Sequence, residues 1–205
     1  MVERQLRRRG ISDERVLAAM GSVPREEFVP ARMRRRAYAD SALPIEEGQT
    51  ISQPWIVAAI CQALGLEGEE RVLEVGTGSG YSTAVLARLA AEVFSIERHE
   101  SLARTARGSL ERLGVERIQV LIGDGSRGLP DRAPFQAIAV HATAPAAPAA
   151  LLGQLDEGGR LVAPIAADDS TDLLTLFRRR GERVESETIS PCRFVPLVGE
   201  EGFAG

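Results

Sequence analysis

Three acidic residues and a run of glycines are spaced as a small-molecule site requires. Val72-Leu73-Glu74-Val75 is a short apolar run, and Gly76-Thr77-Gly78-Ser79-Gly80 follows it directly. Glycine lets a backbone turn sharply and lets a ligand approach closely. A dinucleotide-binding turn needs Gly-x-Gly-x-x-Gly, with its third glycine at the position held here by Tyr81. The spacing is instead Glu-x-Gly-x-Gly-x-Gly. Glu74 is awkward beside a pyrophosphate and suits the cationic amino group of a methionine-type ligand. Glu97 ends the next apolar run, about twenty residues on, where an acid accepts hydrogen bonds from ribose hydroxyls. Asp124, in Gly123-Asp124-Gly125, ends a third run. It suits an adenine amino group, with Gly125 leaving room for the ring, although Asp-Gly is also an ordinary turn pair. Upstream lies a small-residue loop, Gly48-Gln49-Thr50-Ile51-Ser52-Gln53-Pro54-Trp55, able to close over the reacting end of such a ligand.

These residues need a scaffold, and the pattern supplies one. Residues 71–75, 92–97, 118–122, 135–140 and 159–165 read as strands. Helical segments at 82–90, 101–113 and up to Leu155 separate them, which implies a parallel sheet with helices on both faces. Residues 173–179 and 184–198 read as a hairpin turning at Arg180-Gly181, adding an antiparallel edge. Ahead of this core, residues 3–20 and 24–37 read as helices, with Ser12-Asp13 and Ser22 as possible starts. Residues 41–54 read as loop, and 55–64 as a buried helix ended near Gly65. In such a sheet, ligands bind beyond the carboxyl ends of the strands, where the glycine turn and the three acids fall.

Composition narrows the class. A chain of 205 residues, 44% hydrophobic and 26% charged, suits one substantial folded domain. No apolar run approaches the ~20 residues of a membrane span, and the Arg-rich start lacks an apolar signal core. Two cysteines, Cys61 and Cys192, make neither a disulfide framework nor a zinc site. The cytoplasm is the expected compartment, and no metal is expected. Residues 1–40 hold ten Arg and six acidic residues within a chain of net charge -4. Arg7-Arg8-Arg9 and Arg34-Arg35-Arg36 therefore read as solvated helix faces, not a nucleic-acid patch. Neither nucleic acid nor membrane is an expected partner. The chain has no Lys and no Asn.

The glycine turn followed by acids at successive strand ends resembles the class I S-adenosylmethionine (SAM)-dependent methyltransferases. Within that class, Leu43-Pro44-Ile45 with Gly48 to Pro54 is similar to the signature of the protein-L-isoaspartate O-methyltransferases. The likeness extends to Val23-Pro24-Arg25-Glu26-Glu27-Phe28-Val29, Ala133-Pro134-Phe135, Leu155 to Pro164, and Arg193-Phe194-Val195-Pro196-Leu197-Val198. It implies a doubly wound, mostly parallel Rossmann-like α/β fold. Residues 1–66 would be a helical segment carrying a lid loop, and 67–205 the SAM-binding core. It implies methyl transfer to the α-carboxylate of isoaspartyl residues in damaged proteins or peptides, which would be the partners of a monomeric enzyme. S-adenosylhomocysteine (SAH) would be the product.

The resemblance also assigns residues. Ser52 would orient the acceptor carboxylate, unless it only caps the helix that follows. Gln53, Pro54, Trp55, Val57, Glu74, Gly76, Thr77, Gly78, Glu97, Arg98, Asp124 and Gly125 would hold the cofactor. Thr50, Ile51, His141, Val195, Pro196, Leu197 and Val198 would meet the substrate, with Val195, Pro196 and Leu197 as an extended backbone edge. His99 reads as a solvated loop residue. Three positions depart from the family pattern: Glu46 stands for a glycine, Gln136 for an acid, and His141 for a small hydroxyl residue. They put the acceptor, more than the cofactor, in question. A carboxyl methyltransferase acting on aspartate of a dedicated peptide, and a SAM-binding protein without catalysis, are the rival readings.

Overall fold

The computed structural model describes residues 1–204. A seven-stranded sheet carries the site. The chain runs β3 (Arg71–Val75), β4 (Glu92–Glu97), β5 (Ile118–Ile122), β6 (Phe135–Val140), β7 (Leu155–Ala166), β8 (Asp172–Arg180) and β9 (Arg183–Cys192), preceded by a small β1–β2 ribbon. The spatial order is β5-β4-β3-β6-β7-β8-β9. The first five are parallel and the last two antiparallel, as the sequence implies. The chain leaves β3 toward one edge and returns through β6 toward the other. The carboxyl ends of β3 and β6 therefore border a topological switch point.

The parallel strands are mostly apolar at their centres because both faces are covered. Val72, Val93, Val120, Ala137 and Val162 enter one buried cluster, and Leu73, Phe94, Ile96, Ile138 and Leu161 enter the other. Helix α2 (Pro54–Leu64) packs on β6 and β7, and α4 (Glu100–Arg112) on β4 and β5. Pro54 opens α2, where its missing N–H costs nothing. Gly65 ends it at φ 55°, and the Gly65 N–H reaches back to Cys61 and Gln62. The first cluster continues through Leu6, Met20, Phe28 and Leu43, so the N-terminal segment is seated on that face of the sheet.

That segment is less regular than its sequence suggests. The helix expected over 3–20 is a π turn (Val2–Leu6) and a 3-10 turn (Arg7–Arg9), broken at Gly10 with φ 91°. Only then comes α1 (Glu14–Ser22), capped by the Asp13 side chain on the Arg15 and Val16 amides. The helix expected over 24–37 is two 3-10 turns, Arg25–Phe28 and Ala31–Arg36. Pro30 separates them, since the residue before proline is driven out of the helical region. The expected loop 41–54 contains β1 (Leu43–Pro44) paired antiparallel with β2 (Thr50–Ile51). The hairpin turns one residue later than expected, with Arg180 opposite Arg183 and Gly181 at φ 62°. β9 stops at Cys192, and the following segment leaves the sheet.

Two substitutions test this packing. Leu73→Ala, at a fully buried position of the central strand, is expected to destabilise the protein by about 2–5 kcal/mol in urea unfolding. Asp13→Ala removes the α1 cap and is expected to cost about 1 kcal/mol.

Candidate active site

One cavity of about 380 Å³ opens at the switch point, within the roughly 300–1,000 Å³ range of small-molecule sites. Its floor is the glycine turn between β3 and α3 (Tyr81–Leu86). Gly76, Gly78 and Gly80 all have positive φ, at 93°, 54° and 88°, a region open to glycine and strained for other residues. The Gly78 N–H donates to Glu97 Oε2 at 2.9 Å, and the His99 N–H donates to Oε1 at 3.0 Å. Both Glu97 oxygens are thus fixed by backbone amides and keep lone pairs for the cavity they line. Arg98 lines it beside them, as does His99, which is not the free loop residue expected.

Glu74 is placed differently. It is fully buried and does not reach the cavity surface. Thr83 Oγ1 and Ser95 Oγ both donate to its Oε2, and Thr77 Oγ1 lies 2.6 Å from Ser95 Oγ. Glu74 Oε1 has no hydrogen-bond partner and lies 3.3 Å from His141 Nε2, off hydrogen-bond geometry. His141 Nε2 is also 2.8 Å from Ser82 Oγ. Glu74 therefore faces the cavity through His141, which lines it. A cationic ligand group would meet the imidazole before the carboxyl.

Asp124 also stands back from the cavity, while Gly125 lines it. The Ser126 N–H and Ser126 Oγ donate to Asp124 Oδ1, and the Glu200 N–H donates to Oδ2 at 2.7 Å. Burial alone would raise the Asp124 pKa, but these donors outweigh it and hold the carboxyl below its ordinary range. A turn near the C-terminus, closed by Gly202 N–H on Gly199 O, clasps this acid from outside. A Cβ on Gly125 would sit 2.6 Å from Val75 Cγ1 and 3.2 Å from Ile96 Cγ2. Only glycine leaves a slot beside those two side chains, both of which line the cavity.

The loop forms the opposite wall. Gly48, Gln49, Thr50, Ile51 and Ser52 line the cavity, with Val57 from α2. Ser52 is not the helix cap: Gln53 holds that position and makes no side-chain cap bond. Gln53, Pro54 and Trp55 do not line the cavity. Pro54 starts the helix and turns its neighbours outward. Gln53 Nε2 donates to Asp40, and Trp55 Nε1 donates to the Arg9 carbonyl under the Arg9 guanidinium. Gln53 and Trp55 border a separate groove with Arg193 and Phe194. The loop's tip is tied across the cavity, where Ser101 Oγ donates to Glu47 Oε1 at 2.6 Å.

Residues 194–198 complete the rim. Thr143 N–H donates to the Val195 carbonyl and Leu197 N–H donates to the Thr143 carbonyl, both at 2.8 Å. Phe203 N–H takes the Leu197 carbonyl. The Val195 and Val198 N–H groups and the Phe194, Pro196 and Val198 carbonyls have no such partner among the described residues, so part of the edge stays open to a peptide. Of the three departures from the family pattern, Gln136 is remote: it accepts from Arg71 N–H and donates to Asp156. Glu46 is exposed and outside the cavity, and His141 is inside it.

The sheet order, the glycine turn and the paired acids define a class I SAM-dependent methyltransferase. The sequence profile of the protein-L-isoaspartate(D-aspartate) O-methyltransferases matches residues 1–202, and the chain belongs to that family. A protein-L-isoaspartate O-methyltransferase of Methanoculleus marisnigri is 52% identical over 205 residues, 100% of this chain and 93% of the relative. A solved protein-L-isoaspartate O-methyltransferase superposes with TM-score 0.87 at 32% identity, covering 98% of this chain and 67% of that one. A putative one from Plasmodium falciparum, in complex with SAH, superposes with TM-score 0.80 at 25% identity, covering 94% of each chain.

Gly125→Ala tests the slot. Calorimetry is expected to show SAH affinity reduced at least about tenfold, since a ring and a methyl cannot share that space. Unchanged affinity would place the adenine elsewhere.

Proposed function

We propose that the chain transfers the methyl group of SAM to the α-carboxylate of L-isoaspartyl residues in damaged proteins or peptides. The methyl ester then closes to a succinimide, which hydrolyses partly to aspartate, so the transfer starts a repair. Supporting this reading is the meeting of three elements around one cavity: the glycine turn, Ser52 on its loop, and the 194–198 edge.

The residues present fit the cofactor. Glu97 would take the ribose hydroxyls and the Gly125 slot the adenine. His141, backed by Glu74 and Ser82, would face the methionine end. When bound, SAM supplies an activated methyl on a sulfonium. The protein's own task is then mostly geometric. A carboxylate with a reference pKa of about 4 is already ionised at neutral pH and needs no general base. Ser52 would orient its oxygen toward the methyl group, and alignment of this kind contributes on the order of 7–11 kcal/mol in favourable cases. The Thr50–Ser52 stretch and residues 194–198 would exclude water, which otherwise blunts a carboxylate as nucleophile. Pro196 and Val198 offer main-chain groups to the peptide, a mode that tolerates many flanking sequences.

Residues 1–66 serve in this reading as cover and lid for the 67–205 core. The enzyme works as a monomer in the cytoplasm and handles no nucleic acid. No helix among the described residues is long and apolar enough to cross a membrane.

Labelled-methyl transfer to an isoaspartyl peptide and to its aspartyl twin tests the acceptor. Label is expected on the isoaspartyl peptide alone; label on the twin would move the assignment to ordinary aspartate. Ser52→Ala is expected to lower kcat by about 10–100-fold with SAH affinity unchanged, as for an interaction made at the acceptor. Equal turnover would remove Ser52 from the mechanism.

A further inference from the structure

A charge stands directly behind the acceptor wall. Arg25 opens the 3-10 turn Arg25–Phe28 and is fully buried. Its Nε donates to the Ala37 carbonyl and its Nη2 to the Ser52 carbonyl, each at 2.8 Å. The guanidinium carbon lies 4.7 Å from the centroid of the Tyr81 ring. Ser52 and Tyr81 both line the cavity. Nη1 has no hydrogen-bond partner, and no carboxylate among the described residues is paired with Arg25.

This arrangement exceeds what a brace needs. A neutral amide can join two carbonyls without burying a charge, and a buried cation without an anion is strongly disfavoured. The ring face of Tyr81 offsets part of that cost. Burial lowers the Arg25 pKa to about 10, which leaves the group charged at neutral pH. No anion is paired with it among the described residues, and the proposed substrate carries one.

We infer that Arg25 is a positioning and specificity residue for the acceptor: it fixes the Ser52 loop through the Ser52 carbonyl, and its unpaired charge favours a carboxylate in the cavity. The inference rests on the acceptor reading above and deepens it. Arg25 touches neither substrate nor cofactor. It acts through Ser52 and through the field behind Tyr81, which is stronger in a poorly hydrated wall than in water.

The test compares an isoaspartyl peptide with the same peptide bearing an α-carboxamide, in the wild type, Arg25→Gln and Arg25→Lys. Peptide affinities are measured with SAH bound, alongside circular dichroism melts and SAH calorimetry. The wild type is expected to prefer the carboxylate, and Arg25→Gln to shrink that preference by about tenfold or more, by weakening the carboxylate peptide alone. SAH affinity should stay within about threefold, because Arg25 faces the acceptor wall. Arg25→Lys keeps the charge and loses the fork. It should hold the preference within about threefold while kcat falls by about tenfold or more.

An unchanged preference in Arg25→Gln, or equal loss of both peptides and of SAH, would reduce Arg25 to a structural brace. If the Gln variant does not fold, the Lys variant decides, and a collapsed preference there overturns the charge role. Absence of labelled ester with wild-type enzyme would be a separate result, striking at the acceptor reading itself.

Discussion

A carboxyl group shut away from water must be surrounded by donors, and Glu74 imposes that condition on everything around it. Its donors come from α3 through Thr83 and from β4 through Ser95, with Thr77 of the glycine turn behind Ser95. His141, just past β6, stands on its remaining side. Three walls of the cavity are therefore referred to one side chain. Gly78 N–H on Glu97 adds a second tie between turn and β4. A change in any wall is felt by the others, since a partly satisfied buried network is worse than none. This coupling explains how a turn of mostly glycine keeps a fixed shape.

The second organising residue is Tyr81. A dinucleotide-binding turn has glycine at this position so that helix and strand can pack closely. Here the ring fills the space. Phe28 meets it edge-on with centroids 5.7 Å apart, and Arg25 lies over it. The N-terminal segment thus docks on the first residue of α3, and the Ser52 loop is carried with it through Arg25. The glycine-turn floor of the cavity and its Ser52 wall share a common seat. The residue that argues against a nicotinamide site in the sequence is the one that joins the two halves of this one.

The core strands were legible because burial on both faces leaves short, largely apolar runs, unbroken in Ala137–Val140 and interrupted only by Glu74 in Val72–Val75. Gly65 marked the end of α2 for a stereochemical reason that acts locally, while the helix starts at Pro54, one residue before the expected 55. The N-terminal turns were not legible, because 3-10 and π turns carry nearly the same apolar spacing as an α-helix and only Gly10 and Pro30 hint at the breaks. The β1–β2 ribbon, with two residues in each strand, is too short to show a period. In the site, glycine spacing and strand-end position marked Gly76, Gly78, Glu97 and Gly125, all of which line the cavity. Sequence does not show which donors reach an acid first, so Glu74 and Asp124 look no different there from acids that touch a ligand directly. For Asp124 one such donor is Glu200, 76 positions away. Arg25 falls within the Val23–Val29 likeness, but nothing in the sequence marks it for the site, since an isolated arginine looks the same buried or exposed.

The clasp on Asp124 bears on how this protein would itself grow old. Isoaspartate arises when a main-chain nitrogen attacks the side-chain carbonyl of the asparagine or aspartate before it, and a following glycine hinders that attack least. The chain has no asparagine, and its single Asp-Gly pair is Asp124-Gly125. Cyclisation there requires the Asp124 carboxyl to swing onto the Gly125 nitrogen. Donors from Ser126 and Glu200 hold both oxygens elsewhere, and the same contacts keep the carboxyl ionised and so unreactive as an acyl group. The lesion is thereby disfavoured at the one sequence in the chain most prone to it, at the wall of the cavity.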